Sequence, residues 1–172
     1  MYDHSQIRQD IITGLRDYLR NDYADILIIS INPDAPEPAK PFMVMNVTSA
    51  FVPERGLHAE RWVYNPDTGK LDNTMTQNAT MSCSFSVYSD AHDEAHDIGL
   101  KAISYFEMHG YEYLQSKGVV AAEIRSLQNR DIYQEDRWER RVGFDVIFRM
   151  YSAITNEVDR IVTADVTGTV TT

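Results

Sequence analysis

Between Asp136 and Tyr151 the chain reads DRWERRVGFDVIFRMY. Taken every second residue, Val142, Phe144, Val146, Phe148 and Met150 share one side. Arg141, Gly143, Asp145, Ile147, Arg149 and Tyr151 share the other. Successive side chains of a strand point to opposite faces, so this spacing predicts a strand with one apolar and one largely charged face. The apolar face demands cover, and helices are the expected cover. The other face carries groups that a core does not accept unpaired. What that polar face and its neighbours meet is therefore the functional question.

The rest of the chain supplies the partners. Residues 3–21 place Ile7, Ile11, Ile12, Leu15, Tyr18 and Leu19 at helical spacing, with Asp3 or Ser5 as cap. Gly14 inside that helix predicts close packing against another backbone. Asp25–Ile31 and Phe42–Phe51 read as strands, separated by the proline-rich loop Asn32–Pro41. Asn65, Pro66, Asp67, Thr68 and Gly69 have turn chemistry. They predict a projecting β-hairpin between Arg61–Tyr64 and Leu71–Thr76. Gln77–Tyr88 alternates Met81, Cys83, Phe85 and Val87 with serines and Tyr88, as a partner for the first strand described. Ala91–His109 reads as a second helix capped by Ser89 and Asp90, with Ala91, Ala95, Gly99 and Ala102 allowing close approach to the sheet. A further helical turn is expected over Tyr111–Ser116, then a strand over Val119–Leu127 and a polar loop over Gln128–Glu135. Glu157–Thr172 is expected to be a last strand, fading into a flexible tail at about residues 167–172. The fold class that follows is α+β: one domain over residues 1–172, with a mixed, mainly antiparallel sheet and two main helices on one face.

Composition narrows the chemistry. The net charge of −10 argues against non-specific binding to nucleic acid through phosphate contacts. A single cysteine, Cys83, allows no intramolecular disulfide, and its place in an alternating strand reads as a buried thiol. The N-terminus has no signal-peptide pattern, and no apolar run approaches the ~20 residues of a membrane-spanning helix. His92 and His96 stand one helical turn apart, as zinc ligands do. The zinc-protease motif requires Glu directly after the first histidine, and here that residue is Asp93. Two boundary histidines on an acidic helix start are the competing reading, and no metal or catalytic residue is assigned. Arg125, Arg130, Arg137, Arg140, Arg141 and Arg149 are interleaved with Glu123, Asp131, Glu135, Asp136, Glu139 and Asp145. Mixed charge of this kind suits a solvated face or a salt-bridged subunit interface better than a phosphate track. Arg137, Arg140, Arg141, Asp145 and Arg149 are the candidate interface or channel residues.

Three phrases carry a family resemblance: TMSCSFSVYS from Thr80, GYEYLQSKG over Gly110–Gly118, and above all ERRVGFDVIFR over Glu139–Arg149. With the order of elements, they resemble the tail-terminator, or neck terminator, proteins of tailed bacteriophages, from the first helix to about residue 165. The resemblance implies a non-enzymatic virion protein without cofactors, made in the host cytoplasm and assembled as a homohexameric ring. Such a ring caps the tail tube, stops its polymerisation and joins the tail to the head connector, so tube, sheath and connector proteins are the implied partners. DNA would only pass through its channel. A head-completion or connector protein of the same neck is the nearest alternative. A small metal-dependent hydrolase using His92 and His96 is the alternative from another class.

Overall fold

The computed structural model describes residues 3–31, 36–54, 59–134 and 137–159. Helix α1 (His4–Leu19) leads into strands β1 (Leu27–Ser30), β2 (Phe42–Pro53), β3 (Ala59–Asn65) and β4 (Lys70–Tyr88). Helix α2 (His92–Ser104) passes through a π-helical turn at Tyr105–His109 into α3 (Tyr111–Ser116). Strands β5 (Val119–Ile124), β6 (Gln128–Asn129), β7 (Ile132–Gln134), β8 (Arg137–Glu139) and β9 (Arg141–Val158) follow. The main sheet runs β1-β2-β4-β9-β5, with β3 added to β4 and β6 to β9, while β7 and β8 form a separate ribbon. All pairings are antiparallel except β1 with β2. The fold is α+β, as the sequence pattern implies.

The centre is a two-stranded ribbon of unusual length. β4 has 19 residues and β9 has 18. They stay in one register from Leu71↔Val158 to Tyr88↔Arg141. At the end nearer α2, alternate residues form the core. Met81, Cys83, Phe85 and Val87 of β4 meet Val142, Phe144, Val146 and Phe148 of β9, all fully buried. Ile11, Ile12, Leu15 and Leu19 of α1 and Ala95, Ile98 and Ala102 of α2 close over that face. Phe85 stacks on Phe144 at 5.2 Å, and Phe106 meets both Phe85 and Phe148 from above. Each such side chain removed from water contributes about 1.5–3 kcal/mol.

Several boundaries depart from the sequence expectation. The charged-and-apolar strand begins at Arg141, not Asp136, because Arg137–Glu139 pair with β7 instead. It runs on to Val158, so Glu157 and Val158 end this strand rather than open a last one. The remainder of the expected last strand and its tail, residues 160–172, lies outside the described residues. Leu71–Thr76 and Gln77–Tyr88 are one continuous strand. Alternation is legible where a face is buried, and among the described residues no helix covers the first half of β4. The expected loop after β5 holds β6 and β7.

The helices depart in smaller ways. Ala91, not Ser89 or Asp90, occupies the N-cap of α2 and makes no side-chain cap bond. The Ser89 hydroxyl instead accepts from Ala91 N–H at 3.1 Å and donates to Glu94. The second helix widens at Tyr105, where Gly110 N–H reaches the Tyr105 carbonyl at 2.7 Å. That turn carries Tyr105 towards α1. A Cβ on Gly14 would stand 2.5 Å from the Tyr113 ring and closer still to the Tyr105 hydroxyl. The close approach expected at Gly14 is real, but it is made by side chains rather than by backbone.

Candidate functional site

Two surfaces stand apart from this core: the polar face of the ribbon and its more exposed outer half. On the polar face the segment between β5 and β9 folds back over the strands. Arg130 is its centre. Its Nη1 donates to Ser84 Oγ at 2.7 Å and its Nη2 to Asp145 Oδ1 at 3.1 Å. Gly143 makes room for it: a Cβ there would stand 2.6 Å from both Arg130 Nη1 and the Phe85 carbonyl oxygen. Arg130 N–H donates to the Arg141 carbonyl at 2.9 Å, and Arg141 Nε donates back to the Arg130 carbonyl at 2.5 Å. Arg141 N–H donates to Asp131 Oδ1 at 2.7 Å, and its Nη1 reaches the Tyr88 hydroxyl at 3.3 Å. Partial burial works to raise the pKa of Asp145, but hydrogen bonds from Ser84 and Arg130 and the charges of Arg130 and Arg125 outweigh it. The carboxyl lies below its ordinary range.

The candidate charged residues therefore separate. Arg141 and Asp145 are joined by the Arg130 segment and are engaged within the protomer. Arg140 is exposed and reaches only the Asp90 carbonyl, at 3.4 Å. Arg149 is exposed and donates from Nε to Glu54 Oε1 at 2.6 Å. Arg137 opens β8. Ser84, Tyr88 and Glu54 were not singled out in the sequence. Contacts across 46, 53 and 95 residues of chain leave no local spacing signal.

The outer half is a three-stranded arm. β3 pairs with β4 from Ala59↔Thr76 to Asn65↔Lys70, and β9 pairs with the same stretch of β4 on its other side. The predicted turn is present. Asp67 N–H donates to Asn65 Oδ1 at 3.1 Å, Gly69 N–H donates to the Asn65 carbonyl at 2.9 Å, and Gly69 has φ 69°. Pro66, Asp67 and Thr68 are exposed. Trp62, Tyr64, Met75 and Ile154 are also exposed, on the face that the helices cover further along.

His92 and His96 do lie together, ring centroids 4.2 Å apart. His96 Nδ1 is 3.0 Å from the His92 carbonyl, so that nitrogen is turned to its own helix. Among the described residues, no group of three or more His, Cys, Asp or Glu is placed to hold a metal ion. None of the described helices is long and apolar enough to cross a membrane.

Comparison with known families decides between these readings. Residues 9–172 match the family of phage neck terminator proteins. The chain belongs to that family. Among curated individual proteins, none matches it. A neck terminator is a structural protein of the virion, and its partners are other components of the phage tail and neck. The arm and the charged outer surface are thus better sought as contact surfaces than as a catalytic centre.

Proposed function

We propose that this neck terminator assembles as a closed ring of six copies that caps the finished tail tube, stops its growth and joins the tail to the head connector. The observation that carries this reading is the family match over nearly the whole chain. The arm supports it, since a ring needs one surface to meet a different surface on the next copy. A bare apolar sheet face and open strand edges suit such contacts. In this reading the protein is not an enzyme and needs no cofactor. Arg137, Arg140 and Arg149 belong to the surface that meets a neighbour or the channel, with Arg141 and Asp145 holding that surface in shape. The acidic excess gives the channel a negative wall past which DNA slides.

Electron microscopy of particles made without the protein tests it. Overlong or unjoined tails beside filled heads are the expected result. Heads that leak DNA while tails stop at normal length would transfer the assignment to head completion. Arg149→Glu is expected to leave the fold intact and weaken assembly. Normal assembly of that variant would remove Arg149 from the interface.

A further inference from the structure

Among the described residues, β1, β3, β5 and the arm half of β9 each have an outer edge with no partner strand, and β3 and β5 lie on opposite sides of the sheet and differ in character. On one side is β3, whose described strand partner is β4. Its sequence from Arg61 is Arg-Trp-Val-Tyr, and Trp62 and Tyr64 are 51% and 48% exposed. Trp, Tyr and Arg are the residue types that most often dominate binding energy at protein interfaces. Long exposed edges with apolar side chains are normally protected, because they template pairing with another chain. On the other side is β5, which pairs only with β9 among the described strands. Beside it a groove of roughly 380 Å³ opens between the π-helical turn and the strand. Phe106, Tyr111, Ala121 and Ile124 line it, with Glu107 and Glu123 as its charged groups.

The faces of the two edges correspond. Trp62 and Tyr64 lie opposite Asn73 and Leu71, on the helix-covered side of the sheet. Ala121 and Ile124 lie opposite Phe148 and Val146, on that same side. Glu123 lies opposite Ile147, on the other side, where Arg61 also points. A sheet continued from one copy to the next keeps its faces. It would bring Trp62 to the groove and Arg61 to Glu123, whose existing partner is the exposed Arg125 at 3.1 Å. Glu60 lies on the Trp62 face near the start of β3.

We infer that the β3 edge of one copy docks along the β5 edge of a second copy, with Trp62 seated in the groove of Phe106, Tyr111, Ala121 and Ile124 and Arg61 beside Glu123. The contact joins two different patches, so it propagates from copy to copy and closes only as a ring. It rests on the ring reading and adds to it which edges meet.

Cysteine cross-linking tests the inference, because the native thiol, Cys83, is buried. The variant Trp62→Cys with Ala122→Cys is oxidised in the purified oligomer or, where the purified chain is a monomer, in assembled particles. The expected result is a ladder of disulfide-linked copies beyond the dimer, absent from either single variant. Trp62→Ala is expected to lower the assembled fraction about tenfold or more without changing the melting temperature of the unassembled chain. Absence of the ladder from a preparation that holds ring-mass assemblies would overturn the inference and leave the ring reading standing. A linked dimer from Trp62→Cys alone would overturn it in favour of a two-fold contact. Absence of any assembly, in solution or on tails, would overturn both.

Discussion

The two halves of the β4–β9 ribbon share a register, a strand pair and a pair of faces, yet they are different materials. In the body half, Cys83, Phe85, Phe144 and Phe148 are inaccessible to water. In the arm half, Met75 and Ile154 face each other on the same side of the same strands and are 38% and 51% exposed. The backbone hydrogen bonds are alike, so the difference is the helix layer. Where α1 and α2 lie, alternation becomes a core. Where they end, the described contacts of the arm are mainly cross-strand pairs, such as Thr74 with Thr155 at 3.0 Å. Stability is therefore expected to sit in the body, and adaptable surface in the arm.

Thiol chemistry tests this most directly, and with the largest effect. Burial pushes the Cys83 thiol up to about 12. At pH 8 only about one thiol in ten thousand would then be ionised, even before access is considered. In the unassembled chain, Met75→Cys places a second thiol four alternations away on the same face of the same strand. It is expected to react with a thiol reagent at the rate of a free cysteine, while Cys83 reacts only after global opening, at least a thousandfold more slowly by order of magnitude. Comparable rates for the two would mean that the body half opens as readily as the arm.

Truncation gives the next effect. Phe144→Ala removes a ring that packs on Phe85 and Phe106 and should cost about 3–5 kcal/mol in urea unfolding. Ile154→Ala, on the same strand and face, should cost under about 1 kcal/mol. Equal losses would show that the arm carries a core of its own.

How much of this was legible follows the same division. Val142 to Met150 and Met81 to Val87 announce themselves because each alternates a buried apolar residue with a polar one. The arm was visible at its turn, where Asn65 and Gly69 have local chemistry, and in outline in its stem, since Arg61–Tyr64 and Leu71–Thr76 fall in β3 and β4. Leu71, Asn73 and Gln77 are half-buried and Met75 is exposed, so this stretch lacks the buried-apolar alternation that marks Met81 to Val87, and Leu71–Thr76 reads in sequence as separate from Gln77–Tyr88. The polar face was legible only as mixed charge. That Arg130, rather than Arg149, bonds Asp145 depends on how the segment after β5 folds back, and on the missing side chain of Gly143. No spacing rule encodes either. The π-helical turn at Tyr105 was read as ordinary helix: it accompanies packing of Tyr105 against Gly14 of α1 and against Gly110, and the Gly14 contact leaves no local spacing signal.

The polar face extends the comparison to electrostatics. Asp145 has a lowered pKa in the folded chain, so the unfolded chain takes up its proton more readily. Its contribution is fully present above the unfolded carboxylate range and is lost as pH falls through the folded value. Asp145→Asn is expected to lower stability at neutral pH and to flatten the acid limb of the urea midpoint against pH. Arg130→Ala should have the same signature and cost about 1–3 kcal/mol at neutral pH, since it also unpairs Ser84. An unchanged acid limb in both variants would remove this pair from the protein's acid response.

The ion pairs of Lys70 in the arm, to Glu157 and, at 3.9 Å, to Asp159 Oδ1, should do least. Lys70 Nζ lies 3.4 Å from Glu157 Oε2, with both side chains more than two-fifths exposed. A pair so placed is screened by water and salt and must hold two long side chains in one geometry. Lys70→Ala is expected to change the unfolding free energy by under about 1 kcal/mol, and by less as salt is added. The described core lies in the body, so even complete fraying of the arm tip is expected to leave the main urea transition in place. The sensitive readout is hydrogen exchange. Amides of Leu71–Asn73 and Asn156–Val158 should exchange faster in Lys70→Ala, while those of Cys83–Phe85 and Phe144–Val146 stay unchanged. A slowing that reached the body amides equally would mean that arm and body open as one unit, and the division drawn along this ribbon would not hold.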